Sequence, residues 1–404
     1  MMLNERPRLV YIVTVPATAR VLLKGQLGFM RRSGYDVTVI ASPGPELDAV
    51  AAREGVRVVG VPMKRDVAPR SDARSLSRLV RVLSELKPHI VNSSTTKAGL
   101  LGTVAARLTG VPIRVYLLRG LRLETTFGLT RRVLAGTEQL AVACATDVIA
   151  VSDSLRDAFA NGGYCRPPKL RVLGSGSSNG VNVAAFERTS ERVARAAAIR
   201  ERLGITADAV VLGFLGRPVS DKGMKELLTA FQRLAPRKVA LLLVGDSFAG
   251  DDMGAALAAE ARRAPGVFTH PSVADPSDYL AVFDVLAFPS FREGLPNVPL
   301  EAAASGIPTV GFRVTGVRDA VIDGETGTLV DAGDVPAFAA ALARYVDDPD
   351  LRHRHGANAY ARARREFSND RIWRLWRDEY AALCRRHGVP LPQPEIGAGA
   401  EAIA

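Results

Sequence analysis

The chain has 404 residues, which is more than one ordinary domain holds and suits two. Hydrophobic residues make up 47% and charged residues 24%, a composition that supports packed cores and excludes a disordered chain. No apolar run is long enough to span a bilayer, and the N-terminus lacks the apolar core and cleavage site of a signal peptide, so we expect neither a transmembrane helix nor a secretory leader.

The net charge of +11 is unevenly distributed along the chain. The first 188 residues carry 27 Lys and Arg against 14 Asp and Glu, which gives +13, whereas the remainder carries −2. This excess predicts an anionic partner for the first half: phosphates, a membrane surface or nucleic acid. The three cysteines, Cys144, Cys165 and Cys384, are too widely spaced for a zinc site or a disulfide framework, so we expect a reducing, cytoplasmic location.

The first half of the chain alternates short apolar, β-branched runs with helical patterns, which is typical of a parallel, doubly wound sheet. The predicted strands are RLVYIVTV, YDVTVIAS, VRVVGVP, HIVNSS, IRVYLLR and DVIAVS, in that order. The predicted helices between them lie at about residues 19–33, 46–54, 72–86, 98–108 and 129–143.

The second half repeats the pattern with the strands AVVLGFLG, VALLLVGD, GVFTH, DVLAFPS and PTVGFR, and with a helix at about residues 222–234. The sequence therefore predicts two α/β domains rather than one. The predicted boundaries are 1–188 for the N-terminal domain, 189–207 for a helical linker, 208–366 for the C-terminal domain, 367–388 for a C-terminal helix and 389–404 for a flexible tail rich in Pro, Gly and Ala.

The C-terminal helix carries an aromatic stripe. Trp373, Trp376 and Tyr380 fall at positions i, i+3 and i+7, so they share one face of the helix. Packing of this face onto a domain is the expected role, and contact with a cofactor or a membrane is the alternative.

The segment Phe288–Gly306, FPSFREGLPNVPLEAAASG, is the most informative part of the sequence. A strand leads into a loop rich in Gly and Pro, and Asn297 is placed to cap a short helix that ends at Gly306. The free N–H groups at the start of such a helix bind anions. Glu293 on the loop and Glu301 on the helix flank this anion site. A ligand with phosphates in the middle and hydroxyls at both ends fits this pattern, as a nucleotide sugar does.

The Glu-x7-Glu spacing in this setting resembles the signature of retaining glycosyltransferases of family 4, which have the GT-B fold. GFLGRPVSDKG (Gly213–Gly223) resembles the phosphate-binding loop of that family, and LLLVGD (Leu241–Asp246) resembles its second C-domain strand. The resemblance covers about residues 8–385. It implies two Rossmann-like parallel-sheet domains that face a cleft, with the C-terminal helix returning to the N-terminal domain.

The same resemblance implies the roles of the donor-site residues. Arg217 and Lys222 hold the donor diphosphate, Glu293 accepts hydrogen bonds from the donor sugar, and Glu301 accepts them from the ribose. The alternatives are two solvated surface cations and an ordinary first-turn carboxylate that the helix macrodipole favours. Backbone groups complete the expected donor site at Gly216, Gly294, Leu295, Pro296 and Asn297. We expect base recognition near Phe268–Val273, with UDP as the nucleotide.

The sequence predicts an enzyme that needs no metal and no cofactor. No DxD pair follows a strand, and the adjacent Asp251 and Asp252 lie in a polar loop where solvation is expected. Lys and Arg side chains can neutralise a departing diphosphate in place of Mg²⁺. Together with Glu293, the expected catalytic residues are Arg217, Lys222 and Arg119. The family resemblance implies front-face displacement with retention of configuration.

The N-terminal half is expected to bind the acceptor. Arg119-Gly120, in VYLLRGLRLETTFG, stands where many relatives have His-Gly, and resembles a bacterial subgroup that acts on lipid-linked saccharides in capsule and exopolysaccharide synthesis. Arg119 stays protonated, so it cannot act as a base but can hold a phosphate group. The alternative is a structural Arg119 paired with Glu124 or Glu138. The other candidate acceptor-binding residues are Arg20, Lys24 and Lys97.

A second basic feature lies on the helix after Pro69. Arg74, Arg78 and Arg81 follow helical spacing beside an apolar face, which would suit an anionic membrane surface. The alternative is the solvated face of a packed helix.

These features predict a cytoplasmic glycosyltransferase, peripheral at the inner membrane face, that transfers a hexosyl or N-acetylhexosaminyl group from a UDP-sugar to a polyprenyl-pyrophosphate-linked saccharide. One alternative is a glycosyltransferase of secondary metabolism with a soluble acceptor, and another is a non-catalytic relative that binds nucleotide sugars or glycans. The first strand lacks the G-x-G-x-x-G of a dehydrogenase, and no zinc, RNP-type or helix-turn-helix pattern supports a nucleic-acid partner.

Overall fold

The computed structural model describes residues 6–64, 68–246 and 252–393. The chain divides into two compact units. The first comprises Met1–Gly180 together with Asn369–Ala404, and the second comprises Val181–Ser368. Each unit is built on its own parallel β-sheet.

The first unit alternates strands with helices. Its strands are β1 (Arg8–Ile12), β2 (Asp36–Ala41), β3 (Arg57–Gly60), β4 (Ile90–Ser94), β5 (Ile113–Leu118), β6 (Asp147–Ala150) and β7 (Leu170–Val172). Its helices up to this point are α1 (Pro16–Leu22), α2 (Gln26–Arg32), α3 (Pro45–Glu54), α4 (Pro69–Leu86), α5 (Thr96–Leu108), α6 (Gly128–Cys144) and α7 (Asp153–Asn161). Within the described residues the sheet has seven strands in the order β3-β2-β1-β4-β5-β6-β7.

The second unit repeats this arrangement. Its strands are β8 (Val210–Leu215), β9 (Val239–Val244), β10 (Val267–His270), β11 (Val285–Phe288), β12 (Thr309–Phe312) and β13 (Gly327–Val330). Its helices are α8 (Val183–Phe186), α9 (Ser190–Leu203), α10 (Met224–Gln232), α11 (Asp252–Arg263), α12 (Ser277–Leu280), α13 (Asn297–Ala304), α14 (Val317–Ala320), α15 (Val335–Asp347) and α16 (Pro349–Glu366). In the part of the chain that is described, this sheet has six strands in the order β10-β9-β8-β11-β12-β13.

Both sheets have a point where the strand order reverses. In the first unit β1 lies between β2 and β4, and in the second unit β8 lies between β9 and β11. In doubly wound sheets of this kind, ligands bind outside the carboxyl ends of the strands at the reversal. The loops after β1, β4, β8 and β11 are therefore the places where the fold positions a site. The doubly wound, two-domain fold expected from the sequence is confirmed.

The last helix, α17 (Asn369–His387), belongs to the first unit. Trp376 and Tyr380 are fully buried, and the Tyr380 ring lies 6.4 Å from that of Tyr11 on β1. Asn92 on β4 donates from Nδ2 to the Tyr380 hydroxyl at 2.6 Å. The aromatic stripe thus packs onto the first unit, as its periodicity predicts, with Tyr380 against the sheet and Trp373 against Phe29 on α2.

The unit boundaries differ from those expected from the sequence. The first unit ends at Gly180 instead of residue 188, and the predicted linker at 189–207 lies inside the second unit. Ala196 and Ile199 of α9 are buried in the core of the second unit, which is why this helix is part of it. Asp251 and tail residues 394–404 lie outside the described residues.

The single helix predicted at 19–33 is wrong, because the structure has two helices there, α1 and α2. The break falls at Gly25, which has φ of +79°. A Cβ at this position would lie 2.5 Å from the ring of Trp373 on α17. The aromatic ring therefore requires glycine at position 25, and the positive φ ends the helical path.

Glu138 on α6 is a buried carboxyl group that is 5% exposed. The Tyr116 hydroxyl on β5 donates to its Oε2 at 2.7 Å. Burial raises the pKa of Glu138 to about 7, even though this hydrogen bond favours the ionised form. The unfolded chain loses this proton near pH 4.5, so the folded state loses stability as the pH rises from there to about 7.

We expect Glu138→Gln to stabilise the protein at high pH, because it keeps an acceptor for Tyr116 and removes the buried charge. The gain in the free energy of unfolding should be near zero at pH 4 and about 3 kcal/mol at pH 8. Urea unfolding of both proteins across this range measures it. Exposed Glu124 supplies the control Glu124→Gln, which reports the effect of the charge change itself. A gain that does not depend on pH would contradict the prediction.

Candidate functional site

The loops that follow β8 and β11 lie against each other at the strand-order reversal of the second unit. Gly223 has φ of +68°, and a Cβ there would lie 2.0 Å from the carbonyl oxygen of Pro289. The backbone N–H of Phe291 donates to the carbonyl of Asp221 at 3.0 Å, and Arg292 pairs with the Asp221 carboxylate at 2.8 Å. Only glycine fits at position 223, so this residue sets how closely the two loops approach.

This approach brings together two residues that the sequence predicts for the donor site, Lys222 and Glu293, which are 71 positions apart. Lys222 Nζ lies 2.5 Å from Glu293 Oε1, and the Ser290 hydroxyl donates to the same oxygen at 2.8 Å. The Lys222 and Glu293 side chains are 25% and 13% exposed, and Ser290 is buried. A half-buried ammonium and carboxylate are thus fixed at the edge where the fold places ligands.

The connection Gly294, Leu295, Pro296 leads from this pair into α13. Gly294 is held against the loop after β12, because a Cβ at Gly316 would lie 2.3 Å from the Gly294 carbonyl oxygen. Gly316 has φ of +78°, which favours glycine there. Sequence reasoning did not single out Gly316, although its place in the short Thr-Gly turn after a predicted strand was a usable signal.

Helix α13 begins one residue earlier than the sequence predicts. Pro296 is the N-cap, so Asn297 occupies the first helical position and does not cap the helix, and the N-cap residue makes no side-chain hydrogen bond. Proline lacks a side-chain acceptor, which is why the cap is missing. The N-cap side chain therefore does not compete with an anion for the N–H groups of this helix start.

Glu301 lies on α13, within two turns of this helix start. Burial raises the pKa of its carboxyl group to about 7, and the negative charge of Asp275 adds to the shift. No described residue donates a hydrogen bond to this carboxylate. Among the described residues Glu301 therefore has neither a cation nor a hydrogen-bond donor beside it, which makes it a candidate acceptor for a ligand's donors.

Gly216 and Arg217 follow β8. Gly216 has φ of +146°, and its N–H donates to Val244 on β9 at 2.9 Å. A Cβ at Gly245 would lie 1.9 Å from the Gly216 carbonyl oxygen, so the ends of β8 and β9 are in close contact. The Arg217 side chain is exposed. The loop that carries Lys222 therefore begins with a close backbone contact at Gly216 and continues with the exposed cation of Arg217.

The end of β10, where base recognition is expected, is held by hydrogen bonds to its neighbours. Ser272 N–H donates to the Asp246 carboxylate at 2.8 Å, and Asp246 N–H donates to the Ser272 hydroxyl at 3.1 Å. His270 Nε2 and the Tyr279 hydroxyl lie 2.6 Å apart. The segment Phe268–Val273 is therefore a fixed surface at the carboxyl edge of the second sheet.

In the first unit, Arg119 follows β5 at the equivalent edge of the sheet. Its Nη1 donates to the Ser178 hydroxyl at 2.5 Å, while Nε and Nη2 are buried without a hydrogen-bond partner among the described residues. Burial lowers the Arg119 pKa to about 10, so the group stays protonated at neutral pH. Glu138, one of the two expected structural partners, is occupied by Tyr116 instead.

A buried loop that sequence reasoning missed positions Arg119. Ser177 has φ of +82°, a strained value for a residue other than glycine. Gln26 donates to the Ser178 carbonyl at 3.0 Å, and Trp373 Nε1 donates to the Asn179 side chain at 2.7 Å. The run GSGSSNG has the composition of an exposed turn, so nothing in the sequence marked it as buried.

The other candidate acceptor residues are dispersed. Lys97 Nζ forms an ion pair with Asp72 at 2.6 Å, and Arg20 pairs with Glu46 at 3.1 Å. Lys24 is exposed and lies between α1 and α2, so it does not share a helix with Arg20. Since two of these three cations already have carboxylate partners, Arg119 is the stronger anion-binding candidate in the first unit.

Helix α4 presents its arginines to solvent and its apolar side chains to the core. Arg74, Arg78 and Arg81 are exposed, whereas Leu79 and Leu83 are buried in the first unit. The apolar face is therefore unavailable for insertion into a membrane. Over the described stretches of the chain, no helix combines the length and the apolar character needed to cross a bilayer.

Solved structures share this fold. HepE of Anabaena, in complex with UDP and glucose, matches with a TM-score of 0.78 at 22% identity, over 93% of this chain and 100% of that chain. Sucrose-phosphate synthase of Thermosynechococcus elongatus matches with a TM-score of 0.77 at 19% identity, over 93% and 100%. At these identities the likeness concerns the fold, which is the GT-B class of two Rossmann-like parallel-sheet domains.

The family follows from the sequence matches. The model for a glycosyl transferase 4-like domain matches residues 18–176, and the model for glycosyl transferases group 1 matches residues 209–348. The capsular polysaccharide biosynthesis glycosyltransferase CapM of Staphylococcus aureus is 36% identical over 372 residues, 91% of this chain and 95% of CapM. The chain therefore belongs to the glycosyltransferase family that these two models describe. The predicted glycosyltransferase activity is thereby confirmed.

A second relative has a defined acceptor. The UDP-Gal:alpha-D-GlcNAc-diphosphoundecaprenol alpha-1,3-galactosyltransferase of Escherichia coli is 27% identical over 326 residues, which are 78% of this chain and 81% of the relative.

Proposed function

We propose that this glycosyltransferase is a retaining enzyme that transfers a hexosyl or N-acetylhexosaminyl group from a UDP-sugar to a polyprenyl-pyrophosphate-linked saccharide in cell-surface polysaccharide synthesis. The observation that carries the proposal is the contact of Lys222 with Glu293 at the carboxyl edge of the second sheet. It supplies a cation for the diphosphate and a carboxylate for the sugar hydroxyls at one place.

The donor site follows from this pair. An ammonium has three donors, so Lys222 can keep its hydrogen bond to Glu293 and donate to phosphate oxygens as well. Arg217 lies on the same loop and adds a second cation, and the uncapped start of α13 adds backbone N–H groups. Glu301 receives the ribose hydroxyls. With two cations and a helix start for the diphosphate, the proposed reaction needs no divalent metal.

In the proposed reaction, the bond from the sugar C1 to the diphosphate oxygen breaks and the acceptor oxygen bonds to C1 on the same face. The departing phosphate oxygen takes the acceptor proton, so no protein base is required. Lys222 and Arg217 stabilise the charge that develops on the diphosphate. Glu293 holds the sugar hydroxyls, which fixes the orientation of C1.

The acceptor class is supported by the first unit and by the relatives. Arg119 is a buried, protonated guanidinium, and two of its nitrogens have no hydrogen-bond partner among the described residues, so a phosphate oxygen would be a fitting partner. The relatives named above act in capsule synthesis and on a diphosphoundecaprenol acceptor. A cytoplasmic location at the inner membrane face is part of the same proposal.

Calorimetric titration with UDP, GDP, ADP and dTDP in the presence of EDTA tests the donor site. We expect UDP to bind more tightly than the other three nucleotides without added metal. Failure of all four to bind, or binding that needs Mg²⁺, would contradict the proposed site. Transfer from a UDP-sugar to a soluble aglycone but not to a polyprenyl-pyrophosphate-linked saccharide would contradict the proposed acceptor.

The Glu301→Gln variant is expected to bind UDP about tenfold or more weakly at pH 8, because a neutral amide is a weaker acceptor than a carboxylate. Since the pKa of Glu301 is raised to about 7, wild-type affinity should fall as the pH drops below that value and the carboxylate takes up its proton. UDP dissociation constants of both proteins at a series of pH values measure the effect.

The UDP phosphates also titrate in this pH range, but their titration affects wild type and Glu301→Gln equally. It therefore cancels in the ratio of the two dissociation constants. We expect the ratio of the two dissociation constants to approach one at low pH and to grow above pH 7. Exposed Glu325 in the same unit supplies the matched control Glu325→Gln. A constant ratio across the pH range would show that Glu301 does not hold the ribose as an ionised group.

A further inference from the structure

Helix α6 of the first unit presents large apolar side chains to solvent. Leu129 is 76% exposed, Val133 is 53% exposed and Leu140 is 49% exposed. Phe127, the residue before the helix, is 79% exposed. Single exposed apolar residues are ordinary, but four on one short segment form a patch.

The exposed apolar residues share one face of the helix. At 100° per residue, Leu129, Val133 and Leu140 fall within a narrow stripe along about three turns. The opposite side is buried and carries Glu138 and Ala141. A surface helix of a soluble protein has a polar outer face, whereas the outer face of α6 carries this apolar stripe. Folding of the first unit does not account for this outer stripe, so it points to a partner.

Exposed cations lie on the same segment of the chain as the stripe. Arg122, Arg131 and Arg132 are exposed, and Glu124 is an acidic residue among them. The α6 surface is defined here as these three arginines together with the four apolar residues, Phe127, Leu129, Val133 and Leu140. Apolar side chains accompanied by arginines match a surface that is anionic outside and apolar beneath.

A comparison of the exposed side chains of α4 and α6 indicates which helix is suited to enter a membrane. Helix α4 offers arginines alone, since its leucines are buried in the core. The α6 surface combines charge with exposed apolar area, including one aromatic ring, and aromatic rings are enriched at the boundary between lipid headgroups and acyl chains. We therefore expect the α6 surface, and not α4, to insert apolar side chains into a membrane.

We propose that the α6 surface docks the first unit onto an anionic phospholipid bilayer, with Phe127 and Leu129 inserted among the acyl chains and the three arginines at the headgroups. The net charge of +13 over residues 1–188 complements such a surface. The choice of a membrane over a second copy of the chain rests on the proposed function. Arg119, the proposed acceptor-phosphate ligand, begins the connection from β5 to α6 that carries Phe127.

Sedimentation of the full chain with vesicles tests the proposal. We expect wild type to bind phosphatidylglycerol vesicles and to bind phosphatidylcholine vesicles far more weakly. The double variant Phe127→Ser, Leu129→Ser should lose on the order of a hundredfold in binding, because each insertion contributes about tenfold. The matched control Leu108→Ser replaces an exposed leucine of the same unit outside the α6 surface, and should bind as wild type does.

A second variant reports insertion directly. Phe127→Trp adds an exposed indole to a chain with two tryptophans, and its emission should shift to shorter wavelength when phosphatidylglycerol vesicles are added. Wild-type binding by the double variant, or an unshifted emission, would overturn the proposal. A stronger loss from replacing Arg74, Arg78 and Arg81 than from the double variant would assign docking to α4 instead.

The oligomeric state of the protein shows whether the partner of the α6 surface is a membrane or a second copy of the chain. Were wild type dimeric and the double variant monomeric by ultracentrifugation, the α6 surface would be a protein interface and the proposal would be wrong. Vesicle binding is measured without nucleotide or acceptor, so its failure leaves the donor site untouched. Unchanged UDP binding by the double variant would show that its donor unit remains folded.

Discussion

Glu293→Gln should lower the rate of sugar transfer by about a hundredfold or more while the affinity for UDP stays within about twofold of wild type. The carboxylate contacts Lys222 and Ser290 and is proposed to hold the sugar hydroxyls, so it interacts with the part of the donor that UDP lacks. The amide keeps the shape and the bond from Ser290, which isolates the loss of charge. Steady-state rates with a UDP-sugar and calorimetry with UDP measure the two effects.

Lys222→Met should differ from Glu293→Gln in its effect on UDP affinity. Removal of the ammonium takes away a diphosphate partner, so UDP affinity should fall together with the rate. Glu325→Gln, an exposed change in the same unit, controls for the loss of a carboxylate. If Glu293→Gln weakened UDP as strongly as Lys222→Met does, Glu293 would act by holding Lys222 in place and not by binding the sugar.

Much of the fold was predictable because its signals are local. Apolar, β-branched runs separated by amphipathic stretches identify strands and helices without knowledge of their partners. The strands β7 and β13, with three and four residues, were not predicted. The break between α1 and α2 was also missed, because the ring that requires glycine at position 25 comes from Trp373 on the last helix.

The site was predictable in its residues but not in its contacts. Motif spacing named Lys222 and Glu293, yet their contact depends on Gly223 fitting beneath Pro289, a tertiary feature. Ser290 was not predicted as a site residue for the same reason. A serine after a strand forms no distinctive pattern, and its hydrogen bond to Glu293 is visible only in the structure.

The candidate acceptor residues show where a resemblance between segments does not reveal the partners of a cation. Arg20 and Lys97 lie in segments that resemble those of the family, but each has a carboxylate partner in the fold. Arg119 differs because burial has removed it from water and no described residue supplies a carboxylate, which a sequence cannot reveal. Its lowered pKa of about 10 records an unfavourable environment for the charge.

Arg119→Met is expected to make the protein more stable and much less active. A buried guanidinium with two nitrogens that no described residue satisfies destabilises the fold, and an apolar side chain of similar length removes that cost, so the free energy of unfolding should rise by about 1–3 kcal/mol. Loss of the proposed phosphate partner should lower transfer to a polyprenyl-pyrophosphate-linked acceptor by about a hundredfold. Urea unfolding and acceptor-dependent rates measure the two changes.

Two comparisons make this result specific to the acceptor. UDP affinity should stay at its wild-type value, because Arg119 and the donor residues belong to different units. Arg114→Met, on the strand that precedes Arg119, is the matched control: Arg114 donates to the carbonyls of Cys144 and Val111 at 2.6 Å, so its loss should destabilise the protein. Residues that are costly to the fold persist where function requires them, so a stable but inactive Arg119→Met would identify the charge as functional. A destabilised variant that kept full activity would make Arg119 a structural residue and would remove the acceptor site from the first unit.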